Sequence, residues 1–259
     1  MQIELKENID CSIWRATDPK CVFLLVHGLG TYSERWEPMA NFFLKCGVSS
    51  YAANLPRLKS VSDYYCAILR IRDLAEKDNP GKKIFLIGES LGALASFLFT
   101  AEHPELFAGL ICVSPAFASR KAVGVLEAIK MVMTVFYNPS RQVDLPFDSS
   151  MCTRDSAVRD KLDKDPFEYR SVSVKLVFDI LASQARAKVV SKKIKTSALF
   201  LVAGEDMIVD PGASKKIFES LETGDKTYLC FPEMYHSLSI ELGKETVFEK
   251  LRVWVEERL

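Results

Sequence analysis

The chain has 259 residues, 48% hydrophobic and 26% charged, the composition of a globular protein with room for one large core and an insertion. With 34 basic and 34 acidic side chains its formal net charge is +0, so no global field gathers nucleic acid or an acidic membrane and partners must be recognised locally. Seven scattered cysteines without CxxC spacing and only three histidines argue against a disulfide framework and against a zinc site; no metal and no cofactor are expected.

In chain order, "MQIELKENIDCSIW" has no basic region followed by an apolar stretch, so no signal peptide and a cytoplasmic protein are expected. "QIEL" and "CSIWRA" predict an antiparallel opening pair. "CVFLLVH", "VSSYAA", "KIFLIG", "LFAGLICVS", "ALFLVAG" and "TYLCFP" are continuous apolar runs, as in strands covered on both faces of a parallel sheet. Helical periods fall between them, near 34–45, 59–77, 90–102, 211–222 and 243–257. Repeated strand-helix alternation predicts an α/β fold with helices on both sides of the sheet.

One stretch, 116–196, shows helical pattern and no convincing strand, and it is too long for a connecting loop. It predicts a helical cap inserted between core segments 1–115 and 197–259. Within "KAVGVLEAIKMVMTVFY", Glu127, Lys130 and Thr134 make a narrow polar stripe, leaving Val125, Leu126, Ile129, Met131, Met133 and Phe136 on an apolar face. The run is too short to span a bilayer. It packs inside its own subdomain, or it uses Met131, Met133 and Phe136 to line an acyl pocket or touch a lipid surface transiently.

The chemistry is concentrated in "KKIFLIGESLGALASFLF". Gly-x-Ser-x-Gly alone is weak, matching by chance about one time in ten in a chain of this size. Here a strand precedes it and a small-residue helix follows, the setting in which a serine on a strained bend projects its oxygen above the sheet edge. The competing reading makes Ser90 an ordinary helix cap, which needs no glycine on both sides. A nucleophilic serine requires a base, and three histidines make the search short. His27 precedes "GLG" directly. His103 closes the helix that begins at Ser90, roughly 20 Å away at ~1.5 Å per residue. His236, in "FPEMYHSLS" past the last strand, fits the order serine, acid, histidine. For the acid, "AGEDMIVDPGAS" offers Glu205, Asp206 and Asp210. Asp210 before Pro211 reads as a helix cap, Asp206 is preferred, and Glu205 is held in reserve. Backbone N–H groups of Leu91 and Leu29 are the expected oxyanion donors. "GLGTYS" lacks the third glycine of a dinucleotide loop, and no acidic residue near Ser50 is placed to hold a ribose, so nucleotide binding is rejected.

Taken together, "HGLGTYSERW", "GESLGALAS", "AGEDMIVDPGAS" and "YHSLSIE", with "DKDPFEYR" and "HPELFAGLICVSPA", resemble the α/β-hydrolase superfamily, and most of all its monoacylglycerol lipase and lysophospholipase branch. The resemblance implies an eight-stranded, mostly parallel sheet, a helical cap over the site, and hydrolysis of carboxylic esters through an acyl-enzyme on Ser90, with Asp206 and His236 completing the triad. It implies a monoacylglycerol-like or medium-chain ester as substrate and leaves the oligomeric state open. Alternatives are a small or phenolic-ester carboxylesterase, a proline-type aminopeptidase and a non-catalytic receptor. Two departures stand out: "NLPRLKS" replaces the Asp-x-x-Gly-His-Gly turn usual in that branch, and Glu89 stands where many relatives carry histidine.

Overall fold

The computed structural model describes residues 11–55, 57–121 and 133–259. The apolar runs form β1 (Cys11–Trp14), β2 (Cys21–Val26), β3 (Val48–Ala53), β4 (Ile84–Glu89), β5 (Gly109–Val113), β8 (Ala198–Ala203) and β9 (Lys226–Phe231). Among the described residues these seven make one sheet in the order β1-β3-β2-β4-β5-β8-β9. Every pairing is parallel except β1 with β3. The strand expected at "QIEL", and with it the expected eighth strand, falls outside the described residues.

Successive side chains of a strand point to opposite faces, and that alternation builds two cores from one run. Val22, Leu24 and Val26 join the larger cluster, whereas Cys21, Phe23 and Leu25 join the other. Helices α2 (Ser62–Asp78) and α3 (Leu91–Glu102) cover the first face. Helices α1 (Glu37–Lys45) and α8 (Lys244–Glu256) cover the second with Met39, Phe43, Phe248 and Trp254. Helix α7 (Pro211–Ser220) adds Ile217 to the first core.

The connection from β2 runs one way to β3, and the chain then crosses back over β2 to β4 and onward to β5. The carboxyl ends of β2 and β4 thus flank a topological switch point, where an open α/β sheet leaves a crevice for ligands. Ser90 follows β4, and the Gly28–Gly30 loop follows β2.

The excursion between β5 and β8 holds short helices α4 (Ser149–Cys152) and α5 (Ser156–Lys164), then α6 (Val174–Val190), and helical residues at 133–137. It also contains strands the periodicity did not show: β6 (Gln142–Asp144) pairs antiparallel with β7 (Ser171–Ser173). Three residues are too few for a visible alternation, and the partners lie far apart in the chain. Helix α6 places Leu176, Ala187 and Val190 in the larger core, and Gln184 Nε2 donates to the Ala116 carbonyl at 3.0 Å.

Candidate functional site

Ser90 sits at φ 56° and ψ −119°, a conformation an L side chain rarely adopts, and its side chain makes no capping bond to the helix it precedes. That separates it from an ordinary N-cap, which is extended and uses its oxygen on the backbone. Tight packing holds the bend. A Cβ on Gly92 would meet the carbonyl oxygens of Val26 and His27 at 2.4 Å, and one on Gly88 would meet the Gly92 carbonyl oxygen at 2.5 Å. Both glycines of the motif therefore exist for close approach of α3 to β2 and β4. Backbone bonds complete the elbow: Ser90 N–H donates to the Val113 carbonyl at 2.9 Å, and the Ser90 carbonyl accepts from Ala93, Leu94 and Ala116.

His236 and Asp206 meet where β8 and β9 end. The imidazole Nδ1–H donates to Asp206 Oδ2 at 2.7 Å, and both side chains are buried. Asp206 Oδ1 accepts the backbone N–H groups of Ile208 and Val209, each at 2.9 Å, so the loop that carries the carboxylate also aims it. Burial alone pushes the imidazole down. Asp206, through charge and hydrogen bond, and then Glu89 more than reverse this, leaving the His236 pKa above its ordinary value. Glu205 is exposed, and Asp210 caps α7 by accepting Gly212 N–H at 2.8 Å.

Ser90 and His236 line one cavity of about 40 Å³ with Gly28, Leu29, Ile208 and Ser237. That space has room for water but not for an acyl chain, since ligand pockets run to about 300–1,000 Å³. The cap closes it. Tyr169 N–H donates to the Gly30 carbonyl at 3.2 Å, Tyr32 OH donates to Asp165 Oδ2 at 2.5 Å, and Arg35 pairs with Glu168 with both side chains buried. Gly30 has φ 78°, and a Cβ there would come within 2.5 Å of the Tyr169 carbonyl oxygen, so this contact needs glycine twice over. On the opposite rim, Ser237 N–H donates to the Cys152 carbonyl at 2.8 Å. There the buried Glu241 carboxylate accepts N–H groups of Arg154, Tyr235 and Leu242.

The other histidines have structural work. His27 Nδ1–H donates to the Gly28 carbonyl at 2.8 Å while Nε2 accepts Leu55 N–H at 3.2 Å, which requires a neutral ring. Burial pushes its pKa down to about 4. It ties the loop after β2 to the "NLPRLKS" stretch. His103 ends α3, its ring against Phe99.

A protein family described as "Serine aminopeptidase, S33" matches residues 17–243. The chain belongs to this family. It is a serine hydrolase with the α/β-hydrolase fold. It is similar to human monoglyceride lipase, 27% identical over 96% of this chain and 86% of that protein, and to phospholipase YtpA of Bacillus subtilis, 25% identical over 94% and 98%. The solved structure of Paleococcus ferrophilus monoacylglycerol lipase has the same fold, with a TM-score of 0.88 at 23% identity, covering 98% of this chain and 100% of that one.

Of the residues the sequence singles out in this hydrolase, the structure gathers Ser90, His236 and Leu29 around one cavity, with Asp206 behind the imidazole and Leu91 opening α3 beside the serine. Neither Leu29 nor Leu91 N–H has a hydrogen-bond acceptor among the described residues, as oxyanion donors require. Met131 lies outside the described residues. Met133 and Phe136 are 50% and 79% exposed and do not line the Ser90 cavity. Sequence reasoning missed Arg35, Glu168 and Arg170, which also line it. Glu168 and Arg170 lie in "DKDPFEYR" and Arg35 in "HGLGTYSERW", stretches that carry the family resemblance without a role for these side chains.

Proposed function

We propose that this hydrolase cleaves monoacylglycerol-like carboxylic esters through an acyl-enzyme on Ser90. The observation that carries the reading is the strained, uncapped Ser90 sharing a cavity with an imidazole whose other nitrogen is bonded to a buried carboxylate. His236 takes the Ser90 hydroxyl proton as the oxygen attacks the ester carbonyl. The N–H groups of Leu29 and Leu91 hold the oxyanion, and His236 then gives the proton to the leaving alcohol. Water repeats the sequence on the acyl-enzyme and releases the fatty acid.

The relatives named for monoglyceride support the substrate class. An aminopeptidase would need an uncommitted carboxylate for the free amine, and the two glutamates at the cavity, Glu89 and Glu168, are engaged by Ser239 and Arg35. In this reading the excursion after residue 115 is the cap, and Met133, Phe136 and Tyr137, all exposed, turn toward the lipid from which substrate arrives. No helix among the described residues is long and apolar enough to cross a membrane.

The test combines labelling with turnover. A fluorophosphonate should label the wild-type protein at Ser90 and leave Ser90→Ala unlabelled, and that variant should lose about 10³-fold or more in ester turnover while melting normally. A panel of 4-nitrophenyl esters and monoacylglycerols graded by chain length should peak at medium chains or longer. Turnover by Ser90→Ala at the wild-type rate would end the proposal, and a peak at acetate would redirect it to small esters.

A further inference from the structure

Glu89 has no task in the acyl transfer just described, yet it ends β4 directly before Ser90, is 5% exposed and lines the same cavity. A carboxylate at that depth persists only where donors or charges meet it. Ser239 supplies the donors, its N–H at 3.3 Å and its hydroxyl at 3.0 and 3.1 Å from the two oxygens. Ser239 belongs to the tight turn that carries His236, in which Leu238 N–H donates to the His236 carbonyl and Ile240 N–H to that of Ser237. One side chain therefore bridges the strand of the nucleophile and the turn of the base, 150 positions apart.

The charges around His236 come from three directions: Asp206 after β8, Glu89 at the end of β4, and Arg35 after β2. Arg35 is paired with Glu168, with Cys152, Glu89, Tyr32 and Arg170 also around it. The guanidinium is ion-paired with Glu168, and of the two cations acting on Glu89 the imidazole acts more strongly than Arg35.

We propose that Glu89 is a positioning residue of the hydrolytic site: through Ser239 it holds the His236 turn against the nucleophile's strand, and its charge stabilises the imidazolium formed when Ser90 gives up its proton. The proton passes from Ser90 to His236 and Glu89 accepts none, so it acts through the base and not on the substrate. This rests on the Ser90–His236–Asp206 reading. Burial leaves the Glu89 carboxyl above its ordinary value, and His236, Arg35 and Ser239 pull in the opposite direction, so the geometry of the Ser239 contacts carries the assignment.

The experiment is a kcat/KM against pH profile with 4-nitrophenyl butyrate on the full chain, for wild type, Glu89→Gln and Ser239→Ala. Glu89→Gln keeps the shape and removes the charge. It should move the acid limb to lower pH and lower the plateau by about 10-fold, less than the ~10²–10³-fold loss of a direct transition-state donor. Ser239→Ala keeps the charge, so it should lower kcat with the limb in place. Should Glu89→Gln fail to fold, Glu89→Asp retains the charge on a stem too short for Ser239 and should behave as Ser239→Ala does. An acid limb unmoved or raised in Glu89→Gln, or moved equally by the charge-retaining variants, overturns the proposal. Fluorophosphonate labelling of each variant keeps the two readings apart: an unlabelled wild type sinks the triad itself, whereas labelling with an unmoved limb sinks only the role of Glu89.

Discussion

Replacing Asp206 by Asn gives two opposed demands to one amide. In the wild type Oδ1 accepts two backbone N–H groups at 2.9 Å while Oδ2 accepts His236 Nδ1–H at 2.7 Å. An asparagine has one oxygen. Kept on the loop, it turns the NH₂ toward Nδ1, which must then be unprotonated, and the ring carries its proton on Nε2, where it cannot take one from Ser90. Flipped, the amide leaves the Ile208 and Val209 donors unmet at about 1–3 kcal/mol each, roughly 2–6 kcal/mol in total, which disfavours the flip by roughly 30-fold or more. The inactive tautomer dominates, and kcat should fall by about 10³–10⁴-fold, as when a triad base is held in the wrong tautomer. The melting temperature should change little, because the loop keeps its acceptor. Asp206→Ala removes that acceptor and should melt roughly 4–24 °C lower, at about 2–4 °C per kcal/mol for a chain of this size. Steady-state hydrolysis of 4-nitrophenyl butyrate and thermal unfolding read both. Asp206→Asn retaining kcat within about 10-fold of wild type would refute the orientation argument.

The pH dependence has a defined sign. In the proposed mechanism His236 must be neutral to act as base, and its pKa is raised by Asp206 and Glu89 against burial, so kcat/KM should fall on acidification through a midpoint above the ordinary histidine value of about 6.5. By linkage, the stability owed to the protonated imidazole is fully present below the unfolded-state pKa and lost as pH rises through the folded one; a rate midpoint at or below about 6.5 contradicts this. Gly92→Ala drives a Cβ into two carbonyl oxygens at 2.4 Å and should cost at least about 1–3 kcal/mol, read as poor soluble yield or a lowered melt; a normal melt would mean that α3 can withdraw from β2. Glu168→Ala leaves Arg35 buried without its partner and should destabilise by about 3–5 kcal/mol in urea unfolding, whereas a loss under about 1 kcal/mol would show the guanidinium reaching solvent.

What the sequence shows and hides follows from the range of the interactions. Strands β2, β4, β5 and β8 are wholly buried six- or five-residue runs, so their apolar content announces them. Ser90 is legible because its glycines neighbour it, and His236 because there are only two other histidines to exclude. The pairing of β6 with β7, the contact of Glu89 with Ser239 and the ion pair of Arg35 with Glu168 join distant segments through single side chains or three-residue strands. No local period encodes them. Helix α6 reads as cap because it follows a strandless stretch, yet Leu176 and Ala187 face the central core, a distinction that depends on what the helix meets and not on its own pattern.

Glu241 has a consequence for anyone recombining these enzymes. Its carboxylate gathers amides from both sides of the histidine turn and from Arg154, two residues ahead of the short helix at 156–164, so the His236 loop and the roof over the site are a single mechanical piece. A chimaera that imported a foreign roof without a matching amide at position 154 would loosen the imidazole along with the lid, and altered substrate preference in such a hybrid would be inseparable from a weakened base.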